Sequence, residues 1–168
     1  MCIRDRNYLG KTDATFTLNF STGSAMVLAQ YYNFVRFGFG GYQYIMEMMQ
    51  ANAQALAKRI ADIGEFTLIG DGEEQLPLVA FQLEGDHDYD EFDVAGQLAM
   101  ERGWMVPAYT LPPKADHVKI MRALVKITLG HTLASTLADD IAAACKTLQH
   151  KGGLHKSERR RVKTSVGY

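Results

Sequence analysis

His117 to Val125 (HVKIMRALV) alternates with a period of two, so it reads as a strand, continuing to about Ile127. Val118, Ile120, Arg122 and Leu124 share one face, and Lys119, Met121, Ala123 and Val125 share the other. Arg122 therefore stands on a face that is otherwise apolar. A guanidinium does not give up its proton, so in such a place it needs an anion. Two readings are open. One is a structural ion pair with an internal Asp or Glu. The other is a two-pronged clamp on a substrate carboxylate. Strand parity does not choose between them.

Working outward, Pro112-Pro113 forces a turn, and Trp104 to Tyr109 reads as a strand in which Pro107 marks an edge or a bulge. Phe92 to Arg102 is a helix ended by Gly103, and Asp86 to Asp90 is an acidic loop leading into it. Leu78 to Leu83 (LVAFQL) is a strand, Asp71 to Gln75 a polar turn, and Phe66 to Ile69 a short strand. Downstream, Ser135 to Gln149 is the last helix, with Ser135 or Thr132 as its cap. Near the start, Ala14 to Phe20 (ATFTLNF) alternates as a strand and is broken at Ser21-Thr22-Gly23-Ser24. A helix from about Ala25 to Phe37 follows, then the breaker Gly38-Phe39-Gly40-Gly41, then a second helix from about Tyr42 to Ile63, stopped by Gly64. This order predicts an α+β architecture: a small sheet covered on one face by helices, preceded by a long helical segment. Tyr31, Tyr32, Phe34, Phe37 and Phe39 crowd the first helix, and a surface that aromatic usually meets another part of a larger protein.

The 168 residues suit one domain or part of one, and 47% hydrophobic with 22% charged residues argues against bulk disorder. Cys2 and Cys145 form no disulfide framework and no CxxC pair, so a cysteine-rich scaffold or zinc ribbon is excluded. No apolar run reaches transmembrane length and no signal peptide is evident, which predicts no membrane partner and a cytoplasmic, reducing location. The net charge of −1 hides a split. Residues 151–168 hold six Lys or Arg against Glu158 alone, and the body before them is acidic. That tail has no interleaved aromatics until Tyr168, so nucleic acid is not an expected partner, and it reads as a solvated flexible tail. Met1 to Arg6 (MCIRDR) has neither caps nor period and reads as a non-native scar outside the fold.

Other groups carry less. Asn19 to Ser24 joins a strand to a helix N-terminus with hydroxyl residues and a Gly, which suits a phosphate, although composition alone favours an ordinary cap by Ser21 or Ser24. Asp86, Asp88 and Asp90 suggest a calcium loop, but Glu91 and Gln97 stand where that loop needs Gly and Glu, so the acids read as a turn feeding a helix N-terminus. His87, His117, His131, His150 and His155 show no ligand spacing, so no metal is expected. No nucleophile or base stands in a recognisable setting.

Several runs resemble one family. Tyr8-Leu9-Gly10, Ala14 to Ser21, Ala29-Gln30-Tyr31-Tyr32-Asn33-Phe34-Val35-Arg36-Phe37-Gly38 and Gly41-Tyr42 are similar to the C-terminal part of glutamate decarboxylase. So are Leu76 to Phe81, Arg102 to Leu111 (RGWMVPAYTL) and Met121-Arg122, and the likeness covers Asn7 to about Gln149. Thr22 departs from the Arg or Lys usual after the family's Ser.

The resemblance implies a fold-type-I pyridoxal-phosphate enzyme that turns L-glutamate into 4-aminobutanoate and carbon dioxide as a dimer or higher homo-oligomer. It implies that Arg122 holds the substrate α-carboxylate and that Ser21 reaches the cofactor phosphate of the neighbouring subunit. It divides the chain into the end of the large domain with its connecting helices (7–63), the small C-terminal domain (64–149) and the basic tail (150–168). The family's imine-forming lysine, its ring-pairing Asp and its stacking His have no match here, and Lys58, Lys114, Lys119 and Lys126 read as surface positions. The chain is therefore expected to be a fragment, inactive alone. His155 is not in the place of the tail histidine some bacterial relatives use, and the tail lacks the Trp and apolar stripe of a calmodulin target, so calmodulin is not an expected partner. The alternatives are a free-standing, non-catalytic binding module of the same small-domain fold, or another amino acid decarboxylase of that fold.

Overall fold

The structure, a computed structural model, describes the backbone of residues 2–5 and 13–16 and the whole of residues 23–70 and 76–154. Strands β1 (Cys2–Asp5) and β2 (Asp13–Phe16) pair antiparallel, Cys2 opposite Phe16. Strand β1 thus lies within the stretch set apart as a scar. Strand β2 covers the start of the run expected to be a strand; residues 17–20 fall outside the described residues, as do Ser21, the turn 71–75 and the tail from 155.

Helix α1 spans Ala25–Asp62. Two helices separated by a four-residue breaker are expected there. The helix is instead interrupted at one residue, Gly38, with φ 57° and ψ −171°. Only glycine adopts that backbone readily. A Cβ on Gly41 would meet the Cβ of Phe37 at 2.9 Å, so glycine at 41 is what lets the chain pass Phe37 after the kink. In the second half of α1, Asn52, Ala53, Leu56 and Ile60 form one buried stripe at helical spacing.

The remaining elements are β3 (Phe66–Leu68), β4 (Leu78–Leu83), α2 (Glu91–Arg102), β5 (Ala108–Thr110), β6 (Lys119–Leu124) and α3 (His131–Lys151). The four strands make one antiparallel sheet in the order β3-β4-β6-β5. Helix α1 packs on β3 and β4, α2 on β5 and β6, and α3 against both helices. The helices all lie on one side of the sheet, which is the expected α+β layer arrangement. The core lies between them, with Phe66, Val79, Phe81, Met121 and Ala123 from the sheet facing Leu56, Ile60, Val94 and Leu98 from the helices. Phe66 and Phe81 meet edge to face at 5.2 Å. Because this core takes in Ala53, Leu56 and Ile60, the packed unit reaches upstream of residue 64.

Three boundaries differ from the sequence reading. The strand expected at Trp104 starts only at Ala108. Gly103 closes α2 in the left-handed region, and Trp104 turns its indole N–H onto Asp140 Oδ2 at 2.7 Å, so these residues cross from helix to sheet edge. Helix α3 starts at His131 with Gly130 at its N-cap and no side-chain cap bond, so neither Thr132 nor Ser135 caps it. At the other end α3 continues to Lys151, and Leu154 is buried in the core, so residues 151–154 belong to the packed domain and not to a free tail. Helix α2 follows the sequence closely. Asp90 accepts from the Asp93 N–H at 3.1 Å, and the Asp93 carboxylate accepts from the Asp90 N–H at 3.2 Å. The acidic loop does feed a helix N-terminus, as read. Among the described residues no helix is long and apolar enough to cross a membrane.

Candidate carboxylate-binding face

The alternation of β6 puts Met121, Ala123 and Val125 into the core, and each is buried. Arg122 is therefore on the sheet face turned away from the helices. The register sets its neighbours there. Ala80 lies directly opposite on β4, flanked by Leu78 and Gln82, while Ile120 and Leu124 lie on β6 itself and Tyr109 stands across from Ile120 on β5. All of these sheet residues are uncharged. Ile120 is buried at 5% exposure and Leu124 is 54% exposed, so the face grades from covered to open across Arg122, which is half-buried. The apolar surroundings read from parity are present, but they are the outer face of the sheet and not the hydrophobic core.

Two of the contacts that place Arg122 are within the sheet. Its backbone N–H donates to Pro107 O at 3.1 Å, carrying the β5–β6 pairing one residue beyond Ala108. Its guanidinium carbon lies 5.6 Å from the centroid of the Tyr109 ring. Tyr109 was not singled out from the sequence. What could have revealed it is the register of the hairpin, which no run of residues states by itself.

The other titratable groups fall into structural roles. Lys119 on the core side of β6 reaches Asp90 at 2.9 Å and ties the strand to the start of α2. Lys58, Lys114 and Lys126 are exposed, as read. Tyr89 Oη donates to Glu65 Oε2 at 2.7 Å, and Gln149 Nε2 donates to Glu65 Oε1 at 2.9 Å. Burial, then the hydrogen bond to Glu65, pushes the Tyr89 hydroxyl pKa up. Burial, then the charge of Glu65, pushes the Cys145 thiol up to about 12. A thiol held that far above neutrality stays protonated and is not a nucleophile. This cluster joins β3, the loop before α2, and α3; its members lie too far apart in sequence for spacing to reveal them. A cleft of about 540 Å³ between α1 and α3 is lined by Arg59, Asp62, Glu65, Asp139 and Lys146. Its charges are of both signs, and Arg59 pairs with Asp139 across it. His87 Nε2 lies 2.8 Å from Glu84 O and its ring packs on Tyr89; among the described residues no group of His, Cys, Asp and Glu is arranged to hold a metal ion.

The first half of α1 is the other unusual surface. Residues 23–40 are all exposed, Phe39 at 86%, and the aromatic crowd read from the sequence lies there. Phe34 and Phe37 both pack on Tyr42, at 5.8 and 5.7 Å, across the Gly38 kink.

Residues 3–84 match the family model described as the pyridoxal-dependent decarboxylase conserved domain. The chain is 44% identical over 135 residues to a glutamate decarboxylase of Petunia hybrida, covering 80% of this chain and 27% of that protein. It is 38% identical over 156 residues to a probable glutamate decarboxylase gamma of Listeria innocua, covering 92% and 33%. Among solved structures, the glutamate decarboxylase of Lactobacillus brevis superposes with a TM-score of 0.73 at 37% identity, over 88% of this chain and 33% of that one. A sphingosine-1-phosphate lyase of Burkholderia pseudomallei superposes at 0.60 with 17% identity, which speaks for the fold alone. The chain spans about a quarter to a third of the length of these relatives. In sequence and in fold it is similar to glutamate decarboxylases, and its neighbours have the fold-type-I architecture expected of it.

Proposed function

We propose that this chain is a segment of a glutamate decarboxylase, a pyridoxal-phosphate-dependent carboxy-lyase that converts L-glutamate to 4-aminobutanoate and carbon dioxide with uptake of a proton. Its share of the work is to hold the substrate α-carboxylate. The observation that carries this is Arg122 at the centre of the outer sheet face, its ring-stacked guanidinium among uncharged sheet neighbours. A guanidinium edge offers two parallel N–H groups that match a carboxylate. Gripping the group that is to leave fixes the direction of the bond that breaks, which converts binding into orientation.

The bound cofactor would supply the sink for the electron pair left when carbon dioxide departs. The residues here fit part of what it needs. Helix α1 begins at Ala25 with no side-chain cap bond from Ser24 and no acid in its first turn, a setting that favours an anion, and Ser21 stands just ahead of it. Ser21 would serve the cofactor phosphate of the neighbouring subunit in a homo-oligomer. Among the described lysines, Lys119 is held by Asp90, and Lys58, Lys114, Lys126, Lys146 and Lys151 are on the surface. The imine-forming lysine would come from another stretch of the polypeptide, and the chain alone would be inactive. The exposed aromatic half of α1 would be covered in the assembled enzyme. A buried reduced thiol at Cys145 suits a cytoplasmic setting.

The test is Arg122→Lys in the full-length, cofactor-loaded protein. A point charge cannot replace the fork, so kcat/KM for glutamate should fall by about 10- to 100-fold. Unchanged kinetics would remove Arg122 from the site. Absence of glutamate-dependent carbon dioxide release by the native full-length protein would remove the activity itself.

A further inference from the structure

We infer that α1 is a docking surface for a second copy of this chain, the two helices crossing antiparallel near the Gly38 bend so that Arg36 of each copy pairs with Glu47 of the other. The inference concerns only how two copies meet and does not rest on the activity proposed above. Residues 23–47 are exposed except Gly41 and Ile45, which are half-covered. A stable interface takes about 20–30 residues a side, so this one stretch is long enough to supply one. Its middle is aromatic: Phe34 and Phe37 both pack on Tyr42 across the bend, and Phe39 stands in water beside them. Aromatic and arginine side chains are the usual anchors of such contacts.

The charges identify what covers this surface. Residues 23–50 carry two, Arg36 and Glu47, of opposite sign and on either side of the bend. They do not meet within one copy. The Arg36 guanidinium carbon lies 6.0 Å from the Tyr32 ring centroid and 5.5 Å from that of Phe37, and the Glu47 carboxylate accepts from Gln43 Nε2 at 2.8 Å. Positions about three turns apart on a helix are not neighbours. Two antiparallel copies match the charges twice, Arg36 on Glu47 and Glu47 on Arg36, as a twofold interface requires. Two parallel copies in register would set like charge against like, so the charges also select the direction. The twofold then passes between Gly41 and Tyr42. A Cβ on Gly40 would meet nothing within 4 Å in this chain, so nothing here calls for glycine at that position, and its bare backbone leaves room for the other copy.

The experiment is sedimentation of this chain over a range of concentrations in low salt, where exposed charges are least screened. The native chain should pass from monomer to dimer and stop there, because a twofold contact closes. Arg36→Glu turns both ion pairs into repulsions and should weaken the dimer by about 10-fold or more, and Glu47→Arg should do the same. Equal amounts of these two variants mixed together should dimerise within about three-fold of the native affinity, because each then meets its opposite. The chain carrying both substitutions should dimerise equally well. Both residues are exposed, so urea unfolding of each variant should match that of the native monomer. Should a reversal disturb the fold, Arg36→Gln and Glu47→Gln replace it, and the double variant should dimerise no more weakly than either single one. A monomeric native chain, growth beyond a dimer, reversals that dimerise like the native chain, or a mixture no tighter than its components would overturn the inference. The first of these outcomes would assign the surface to another stretch of a longer polypeptide.

Discussion

The two halves of α1 are equally apolar to the eye and meet opposite fates. Beyond Gln50 the apolar residues fall on one stripe, Ala53, Leu56 and Ile60, and that stripe is buried while Lys58, Arg59 and Asp62 face water. Before the kink there is an apolar face as well. Val27, Leu28, Tyr31, Tyr32, Phe34 and Val35 fall on one broad side of the helix, away from Gln30, Asn33 and Arg36, and all six are exposed. A helix face that apolar is built to be covered. The second half is thus a finished surface of this domain, and the first half carries a face that nothing in the described residues covers. A helical period marks an apolar face; it does not say which part of a protein covers it.

The largest effect that tests this contrast is in the second half. Leu56 has no exposed surface and lies in the core with Phe81 and Ile60. Leu56→Ala should lower unfolding free energy by about 2–5 kcal/mol, read from urea denaturation of this chain. A loss under ~1 kcal/mol would mean that the second half of α1 is not part of the cooperative unit.

The kink between the halves comes next. Gly38→Ala adds a Cβ that meets nothing within 4 Å, so its cost is backbone strain alone, about 1–3 kcal/mol if the observed angles are kept. In this chain the first half of α1 can escape that strain by straightening, so denaturation should be unchanged while helical circular dichroism rises slightly. In the longer protein proposed above, where the first half would be enclosed, the strain would not be relieved and the melting temperature should fall. Equal behaviour in both settings would show that the halves do not differ in confinement.

What the sequence discloses follows the same division between local and distant causes. Leu78–Leu83 was legible to the residue, because a buried strand bounded by turn signals writes its own limits. The face of Arg122 was legible from parity. The stop of α2 at Gly103 was legible because that residue adopts the left-handed conformation. The start of α3 was not, since Gly130 caps nothing with a side chain and the hydroxyls of Thr132 and Ser135 suggested later starts. The stacking of Tyr109 on Arg122 and the Glu65–Tyr89–Gln149 hydrogen bonds were hidden for another reason. They depend on inter-strand register and on the docking of α3, which are properties of the assembled domain.

The smallest expected effect tests the exposed surface beside the kink against the buried stripe further along α1. Phe39 is 86% exposed just past the kink, so Phe39→Ser in this chain removes almost no buried area. Its unfolding free energy should change by less than about 0.5 kcal/mol, the range of ordinary surface substitutions. Removing an exposed aromatic from a large apolar patch should at the same time reduce self-association, read by light scattering against concentration. In the longer protein proposed above the same substitution should behave as a core change, with a loss of ~3 kcal/mol if Phe39 is enclosed there. A large loss in this chain would mean that Phe39 already packs within it. A negligible loss in the full-length protein would mean that the residue stays in water there and that the surface beside the kink is not covered.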